Sequence, residues 1–172
     1  MPPLPGAISI VNLFSGKIQM NKQKVLAIFG NPELSITRNR EKTFIKILGD
    51  KIQAKNFFSS HATSAPEAQE QTTAFLKSKN KPEVIFCMSD EILTGVMKAI
   101  YQSELKVPKD ISVIAISNGF LPTLFSPEIT HVVTSGIDLG KLAFKRMMDY
   151  QSGKTFAQEL TIRARFVEGG SL

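Results

Sequence analysis

The sequence predicts an α/β protein with a doubly wound, mostly parallel sheet flanked by helices. Short, continuous apolar runs such as Val25–Phe29 have the composition of strands that are buried on both faces. These runs alternate with longer segments that repeat their apolar residues at helical spacing. Turn residues close the runs, as Gly30-Asn31-Pro32 does after the first. Strands that alternate with helices in this way form a parallel sheet covered on both sides.

The apolar runs give the predicted strands in order. They are Val25–Phe29, a short strand near Lys55–Phe58, Glu83–Met88, Ile111–Ile116 and Thr130–Val133. The last segment, Glu159–Phe166, alternates apolar and polar residues. This alternation predicts a half-exposed strand at an edge of the sheet.

Capping residues and apolar stripes predict the helices. One helix covers 35–48 and ends at Gly49, and another begins at Ser64-Ala65-Pro66-Glu67, where serine caps and Glu67 completes a capping box. A third follows Ser89, and a fourth covers Ile137–Gln151 and stops at Gly153. The third helix has a predicted buried stripe of Ile92, Leu93, Val96, Met97 and Ile100. The fourth has an apolar face of Leu139, Leu142, Ala143, Met147 and Tyr150 that we expect to be buried.

The composition limits the classes of protein that fit. The 172 residues, 42% hydrophobic and 21% charged, suffice for one domain with a real core, or for a domain plus a fragment. No apolar run approaches the ~20 residues that cross a bilayer, and residues 1–6 lack the pattern of a secretory signal. The single cysteine, Cys87, excludes an intrachain disulfide. We expect a cytoplasmic protein without membrane contact, and residues 1–23 remain an unplaced leader segment.

Neither nucleic-acid binding nor catalysis has a clear signature in this chain. The net charge of +6 comes from scattered basic residues, which are typical of a solvated surface. The two histidines, His61 and His131, do not have metal-ligand spacing, and no phosphate loop or nucleophile elbow is present. We therefore expect a protein that is not an enzyme and that has no metal or cofactor.

Four phrases in a fixed order resemble the lac repressor family of bacterial transcription regulators. They are SITRNREKTF at 35–44, VIFCMSDEILTGV at 84–96, VPKDISVI at 107–114 and SPEITHV at 126–132, followed by Leu139-Gly140. The family's phrases have a glycine where this chain has Thr43. The resemblance covers about Val25 to Phe166.

The resemblance implies an effector-binding region of the type I periplasmic-binding-protein-like fold, truncated to about one lobe. Residues 24–133 and 155–168 would form the C-terminal lobe, and the crossover helix of 134–154 would pack on an N-terminal lobe that this chain lacks. The chain would then be the ligand-sensing fragment of a one-component regulator that responds to a sugar or related metabolite. The alternative is a solute-binding protein of a sugar transporter. We expect a homodimer, which contacts DNA only through a helix-turn-helix domain absent from this chain.

The resemblance also implies which residues contact the effector. Arg40 corresponds to an arginine that reaches the ligand, although an ion pair with Glu41 would also explain it. Ser89 replaces an asparagine that contacts the effector, but a helix N-cap accounts for this serine equally well. Asp90 either contacts the ligand or orders the turn between strand and helix. Thr134, at the crossover, is a weaker candidate.

Ser117 and Asn118 stand where many relatives have acidic residues that hold hydroxyl groups. They could hydrogen-bond a neutral ligand, or they could form an Asx-type turn with Gly119 at positive φ. Phe58, or its neighbour Phe57, lies near the family's stacking aromatic residue, and a place in the core is an equally good explanation.

Overall fold

The computed structural model describes residues 24–49, 53–154, 162 and 164–172. These residues form a six-stranded sheet in the order β2-β1-β3-β4-β5-β6. The strands are β1 (Val25–Phe29), β2 (Phe57–His61), β3 (Val84–Cys87), β4 (Ser112–Ser117), β5 (Thr130–Val133) and β6 (Arg165–Val167). Strands β1 to β5 run parallel, and β6 is antiparallel to β5. The predicted α/β class and mostly parallel sheet are confirmed.

Two predicted strands differ from the observed ones by more than one residue at an end. Strand β2 begins later than predicted, because residues Ala54–Asn56 form a 3-10 turn, and it continues to His61. The predicted strand at 159–166 lies partly outside the described residues, which resume with Ile162. Its described end, β6, occupies an edge of the sheet, as predicted.

The described residues form four α-helices. They are α1 (Ser35–Gly49), α2 (Ala65–Lys77), α3 (Asp90–Gln102) and α4 (Gly136–Gln151). Three of them begin with the serine caps that helix N-termini favour. In each case the serine Oγ accepts a backbone N–H three residues on, at Ser64, Ser89 and Ser135.

Helix α1 covers one face of the sheet and helices α2 and α3 cover the other. The Phe44 ring of α1 stacks on Phe86 of β3 with centroids 4.5 Å apart, and it meets Phe29 of β1 edge-on at 5.8 Å. On the opposite face, Phe58 of β2 contacts Phe75 of α2 at 5.8 Å. Side chains alternate between faces along each strand, so Phe57 and His61 share the α1 face, whereas Phe58 lies on the α2 face.

A glycine allows α2 and α3 to approach closely. A Cβ built on Gly95 would lie only 2.1 Å from the carbonyl oxygen of Ala65 and 2.8 Å from the Cβ of Ala68. The two backbones therefore touch at this point. The predicted stripe of α3 is confirmed, since Ile92, Leu93, Val96, Met97 and Ile100 are all buried.

Helix α4 departs from the expected burial. None of its residues is buried, and the exposed fractions are 59% for Leu139, 51% for Met147 and 77% for Tyr150. The expectation that this face is buried is wrong for the chain by itself. The physical reason is that the helix leaves the sheet after β5, and no described element covers its apolar side chains.

The last residues of the chain connect the amino ends of β4 and β5. Ser171 is fully buried; its Oγ donates to the carbonyl of Val113 at 2.6 Å and accepts from the N–H of Thr130 at 2.8 Å. The carbonyl of Ser171 also accepts the N–H of Val113 at 3.0 Å. This buried polar side chain is therefore satisfied by the backbone groups of two strands.

Candidate functional site

The sheet has its topological switch point between β1 and β3. From β1 the chain passes to β2 on one side, and from there it returns to β3 on the other side. In open parallel sheets, ligands bind in the crevice outside the carboxyl ends of the strands at this point. Here those ends are Gly30 after β1 and Met88-Ser89 after β3, and a Cβ on Gly30 would approach the Met88 methyl within 3.1 Å.

The polar residues that follow β3, β4 and β5 are held together by hydrogen bonds. The Asp90 carboxylate accepts the N–H of Asn118 through Oδ2 at 3.1 Å. The N–H of Thr134 donates to the Ser117 carbonyl at 3.0 Å. The structure thus brings four of the predicted site residues into one cluster, although the predicted contacts with a ligand remain predictions.

The segment after β4 is the predicted turn. The Asn118 Oδ1 accepts the N–H of Phe120 at 3.1 Å, and the Ser117 Oγ accepts the N–H of Gly119 at 2.9 Å. Gly119 has a φ of +100°, which favours glycine. The local explanation of Ser117 and Asn118 as turn-forming residues is therefore correct, and it leaves the Asn118 amide group exposed at the carboxyl edge.

Ser89 and Asp90 begin α3 at the same edge. The Ser89 Oγ accepts the N–H of Ile92 at 3.3 Å, so its predicted role as an N-cap is confirmed. Asp90 orders the strand-to-helix turn through its bond to Asn118. Its second oxygen, Oδ1, is buried and has no hydrogen-bond partner among the described residues.

Arg40 lies on α1 above the switch point. The line of α1 that faces the sheet contains Thr37 and Phe44, and both of these residues are buried. Successive residues are about 100° apart around a helix, so Arg40 and Glu41 turn to opposite sides of that line. Because Glu41 contacts His61 on β2, we infer that Arg40 turns to the other side, in the direction of β3.

The ion pair of Arg40 with Glu41 is not formed. Glu41 Oε2 instead lies 2.9 Å from Nε2 of His61. Arg40 is partly buried, and among the described residues it has no hydrogen bond or salt bridge. Burial lowers the pKa of its guanidinium, which still carries its charge at neutral pH. By contrast, Arg38 donates to the carbonyl of Pro32 at 3.0 Å and is held at the start of the helix.

Phe58 lies apart from the other predicted site residues. It stands opposite Leu26, near the start of β2, and on the α2 face of the sheet. Its ring packs against the core. The structure therefore supports the core explanation of Phe58 and not a contact at the carboxyl edge.

Sequence reasoning missed two groups at this edge. The His61–Glu41 pair lies at the carboxyl end of β2, and no local pattern indicates it, since the partners are 20 residues apart. Phe120 lies two residues after Asn118 and is 68% exposed. The sequence contained a signal for Phe120, because this large aromatic residue stands in a turn that follows a strand with predicted site residues at its end.

Other reactive groups are enclosed or absent from the described part of the chain. Burial raises the pKa of the Cys87 thiol well above its ordinary value. His131 is buried in β5, and its Nδ1 lies 2.7 Å from the Ile129 carbonyl. Within the described ranges, no group of three potential metal ligands occurs, and no helix is long and apolar enough to cross a membrane.

Comparison with known proteins decides the family. The sequence profile of the periplasmic binding protein-like domain matches residues 21–172. The chain belongs to this family. The predicted fold class and the resemblance to lac-repressor-type regulators are confirmed.

Curated relatives of this periplasmic-binding-protein-like chain are transcription regulators. The chain is 28% identical over 134 residues to the HTH-type transcriptional repressor PurR of Photobacterium profundum, covering 77% of this chain and 40% of the relative. It is 25% identical over 109 residues to catabolite control protein A of Staphylococcus aureus, covering 63% and 33%. The chain thus spans two fifths or less of the length of these two relatives.

Solved structures agree with this assignment at the level of the fold. A dimeric lac repressor with a C-terminal deletion superposes with a TM-score of 0.87 at 20% identity, covering 97% of this chain and 60% of that one. A regulator of the lac repressor family from Enterococcus faecium, solved with bound ribose, gives 0.81 at 19% identity, with coverages of 97% and 61%.

Proposed function

We propose that this chain is the effector-binding lobe of a bacterial one-component transcription regulator that responds to a sugar or a related small metabolite. The observation that carries the proposal is Arg40 at the topological switch point. A partly buried guanidinium without a partner among the described residues offers five N–H donors to a ligand. The opposite wall of the crevice would be formed by residues that hydrogen bonds join at the carboxyl ends of the strands: Asp90, Ser117, Asn118 and Thr134.

A regulator is favoured over the transporter alternative by the relatives. The curated proteins that match this chain are named as repressors, regulators or control proteins. In such a protein, effector binding would shift the population between two arrangements of the sensor. DNA would be bound by a helix-turn-helix domain of the parent protein and not by this lobe.

Helix α4 is the part of the chain that would join a second lobe. Residues 134–154 leave the sheet after β5, and the chain returns to it as β6. Exposed large apolar side chains on this helix include Ile137, Phe144 and Met148. Such a concentration of apolar surface marks an interface. In the parent regulator this apolar surface of α4 would pack on the N-terminal lobe. In this chain alone the same surface would drive self-association.

The function is tested with the parent regulator, obtained by extending the chain into the upstream coding sequence. We expect that sequence to encode a helix-turn-helix domain. Thermal melting against a panel of sugars, nucleobases and amino acids should find a stabilising sugar-like ligand, whose effect Arg40→Ala reduces. Stabilisation by an amino acid alone, or a secretory leader upstream, would contradict the proposal.

The role of α4 is tested separately by sedimentation of the 172-residue chain. We expect concentration-dependent self-association that Phe144→Asp weakens. Ala74→Asp, at an exposed site on α2, serves as the control and should leave the association unchanged. A chain that remains monomeric at high concentration would contradict this part of the proposal.

A further inference from the structure

Six lysines that are scattered along the sequence meet at the amino edge of the sheet. Strands β1, β2 and β3 run parallel, so the loops that precede them lie at one edge. Each of these loops carries at least one lysine, and α1 and α2, which run back to this edge, carry one each in their last turns. We call this set the basic edge: Lys24, Lys46, Lys55, Lys77, Lys79 and Lys81.

The positive excess of the described part of the chain is concentrated at the basic edge. The described residues include 17 lysines and arginines and 13 aspartates and glutamates. The basic edge contains six of these basic residues, and Glu83 is the described acidic residue that lies among them. The rest of the described chain therefore has 11 basic and 12 acidic residues and is close to neutral. The fold thus assembles a local charge that the order of the sequence disperses.

The lysines of the basic edge are close together and available to a partner. All except the partly buried Lys24 are exposed, and among the described residues none of them forms a salt bridge. The Lys24 Nζ donates to the Lys79 carbonyl at 2.8 Å, which joins the loop before β1 to the loop before β3. Neighbouring strands are ~4.8 Å apart, so these charges repel one another at short range. An anion bound across them would relieve this repulsion.

The other half of the same edge limits the size of the partner. Around the amino ends of β4 and β5 and the end of β6, acidic residues outnumber basic ones. They are Glu104, Asp110, Glu128 and Glu168, against Lys106 and Lys109. A long polyanion, such as a nucleic-acid duplex, or a flat anionic membrane would extend over these carboxylates and be repelled. The basic edge also contains no arginine, the residue that binds phosphates with paired hydrogen bonds.

We propose that the basic edge is a docking surface for a short acidic segment of a partner protein. A segment with several neighbouring aspartates or glutamates would cover the three strands without reaching the acidic half of the edge. This inference goes beyond the proposed function and does not depend on it, because the predicted effector residues lie at the opposite, carboxyl ends of the strands.

The test is a titration of the ¹⁵N-labelled 172-residue chain with a hexaglutamate peptide, followed by the backbone amide resonances. We expect shifts at residues 55–57 and 79–83, and none with a hexaglutamine peptide of equal length. The shifts should disappear as the salt concentration rises from about 20 to about 200 mM, because salt screens exposed charges.

Two double variants separate a local surface from general attraction. Lys55→Gln with Lys81→Gln removes two charges from the basic edge and should weaken binding of hexaglutamate about fivefold. Lys42→Gln with Lys98→Gln removes two charges from exposed positions in the middle of α1 and α3 and should leave the affinity unchanged within about twofold.

Three results would overturn the inference. The first is the absence of shifts with hexaglutamate, and the second is equal weakening by both double variants. The third is tighter binding of a mixed-sequence DNA duplex, or of vesicles containing phosphatidylserine, that the basic-edge variant also weakens. None of these results bears on the effector-lobe proposal, which the ligand panel on the parent regulator decides.

Discussion

The contact between α2 and α3 at Gly95 predicts that one added methyl group destabilises the protein. In Gly95→Ala the new Cβ would lie 2.1 Å from the Ala65 carbonyl oxygen and 2.9 Å from the Gln69 nitrogen. Both are backbone atoms, so no side chain can rotate away, and the helices must separate by about 1 Å to restore van der Waals distances. Overpacking of this kind costs ~1–3 kcal/mol, and it outweighs the gain of ~1 kcal/mol in helix propensity.

A matched control is available on α4. Gly140 is also helical, but a Cβ at this position would meet nothing within 4 Å. Gly140→Ala should therefore be neutral or stabilising by up to about 1 kcal/mol. Urea unfolding followed by circular dichroism would give both changes in the free energy of unfolding. If Gly95→Ala proved as stable as the wild type, the close approach of these helices would not exist as described.

Three further predictions follow from buried or capping groups. Ser171→Ala should lower the free energy of unfolding by about 1–3 kcal/mol, because it leaves a buried N–H and a buried carbonyl without their partner; Ser59→Ala, at an exposed site on β2, should change it little in the same urea assay. Hydrogen bonds from Thr63 lower the pKa of Glu67 in the folded protein. The ionised carboxylate therefore stabilises the fold at a pH above the pKa that Glu67 has in the unfolded chain, and this stabilisation disappears as the pH falls through the pKa that it has in the folded protein. Glu67→Gln should therefore lower the melting temperature at neutral pH and not in acid. An equal decrease of the melting temperature in acid would argue against stabilisation by the Glu67 carboxylate. Cys87 should resist iodoacetamide in the folded protein and react once urea unfolds it, as measured by mass spectrometry; rapid labelling without denaturant would mean that β3 is accessible.

Local signals in the sequence predicted the parts of the fold that depend on neighbouring residues. The N-caps at Ser64 and Ser89 and the positive φ of Gly119 each follow from a few adjacent side chains. The buried stripe of α3 follows from helical spacing alone. These features needed no knowledge of the tertiary structure.

The position of Phe58 shows where local signals are insufficient. A strand near 55–58 would end at Phe58, beside the crevice, whereas the observed strand begins at Phe57 and ends at His61. This shift moves the carboxyl end of the strand from residue 58 to residue 61, and it places Phe58 in contact with the core. Strand boundaries depend on the register with β1, which a single sequence does not reveal.

The relation of Arg40 to Glu41 could have been predicted better. Side chains at positions i and i+1 of a helix do not face each other, so an ion pair between these neighbours was unfavourable from the start. The true partner of Glu41, His61, depends on β2 lying next to β1, which is a non-local pairing. The antiparallel direction of β6 also depends on how the chain returns from α4.

The bonds of Ser171 have a consequence for the order in which the sheet folds. They join residues that are 41 and 58 positions apart in the chain, whereas β1, β2 and β3 are connected through one intervening helix at a time. Closing a long loop costs more entropy and slows the formation of the contacts that depend on it. We therefore expect the half of the sheet around β1 to acquire protection from hydrogen exchange first. The half of the sheet that contains β4 and β5 gains its full protection only when Ser171 has formed its hydrogen bonds to these two strands.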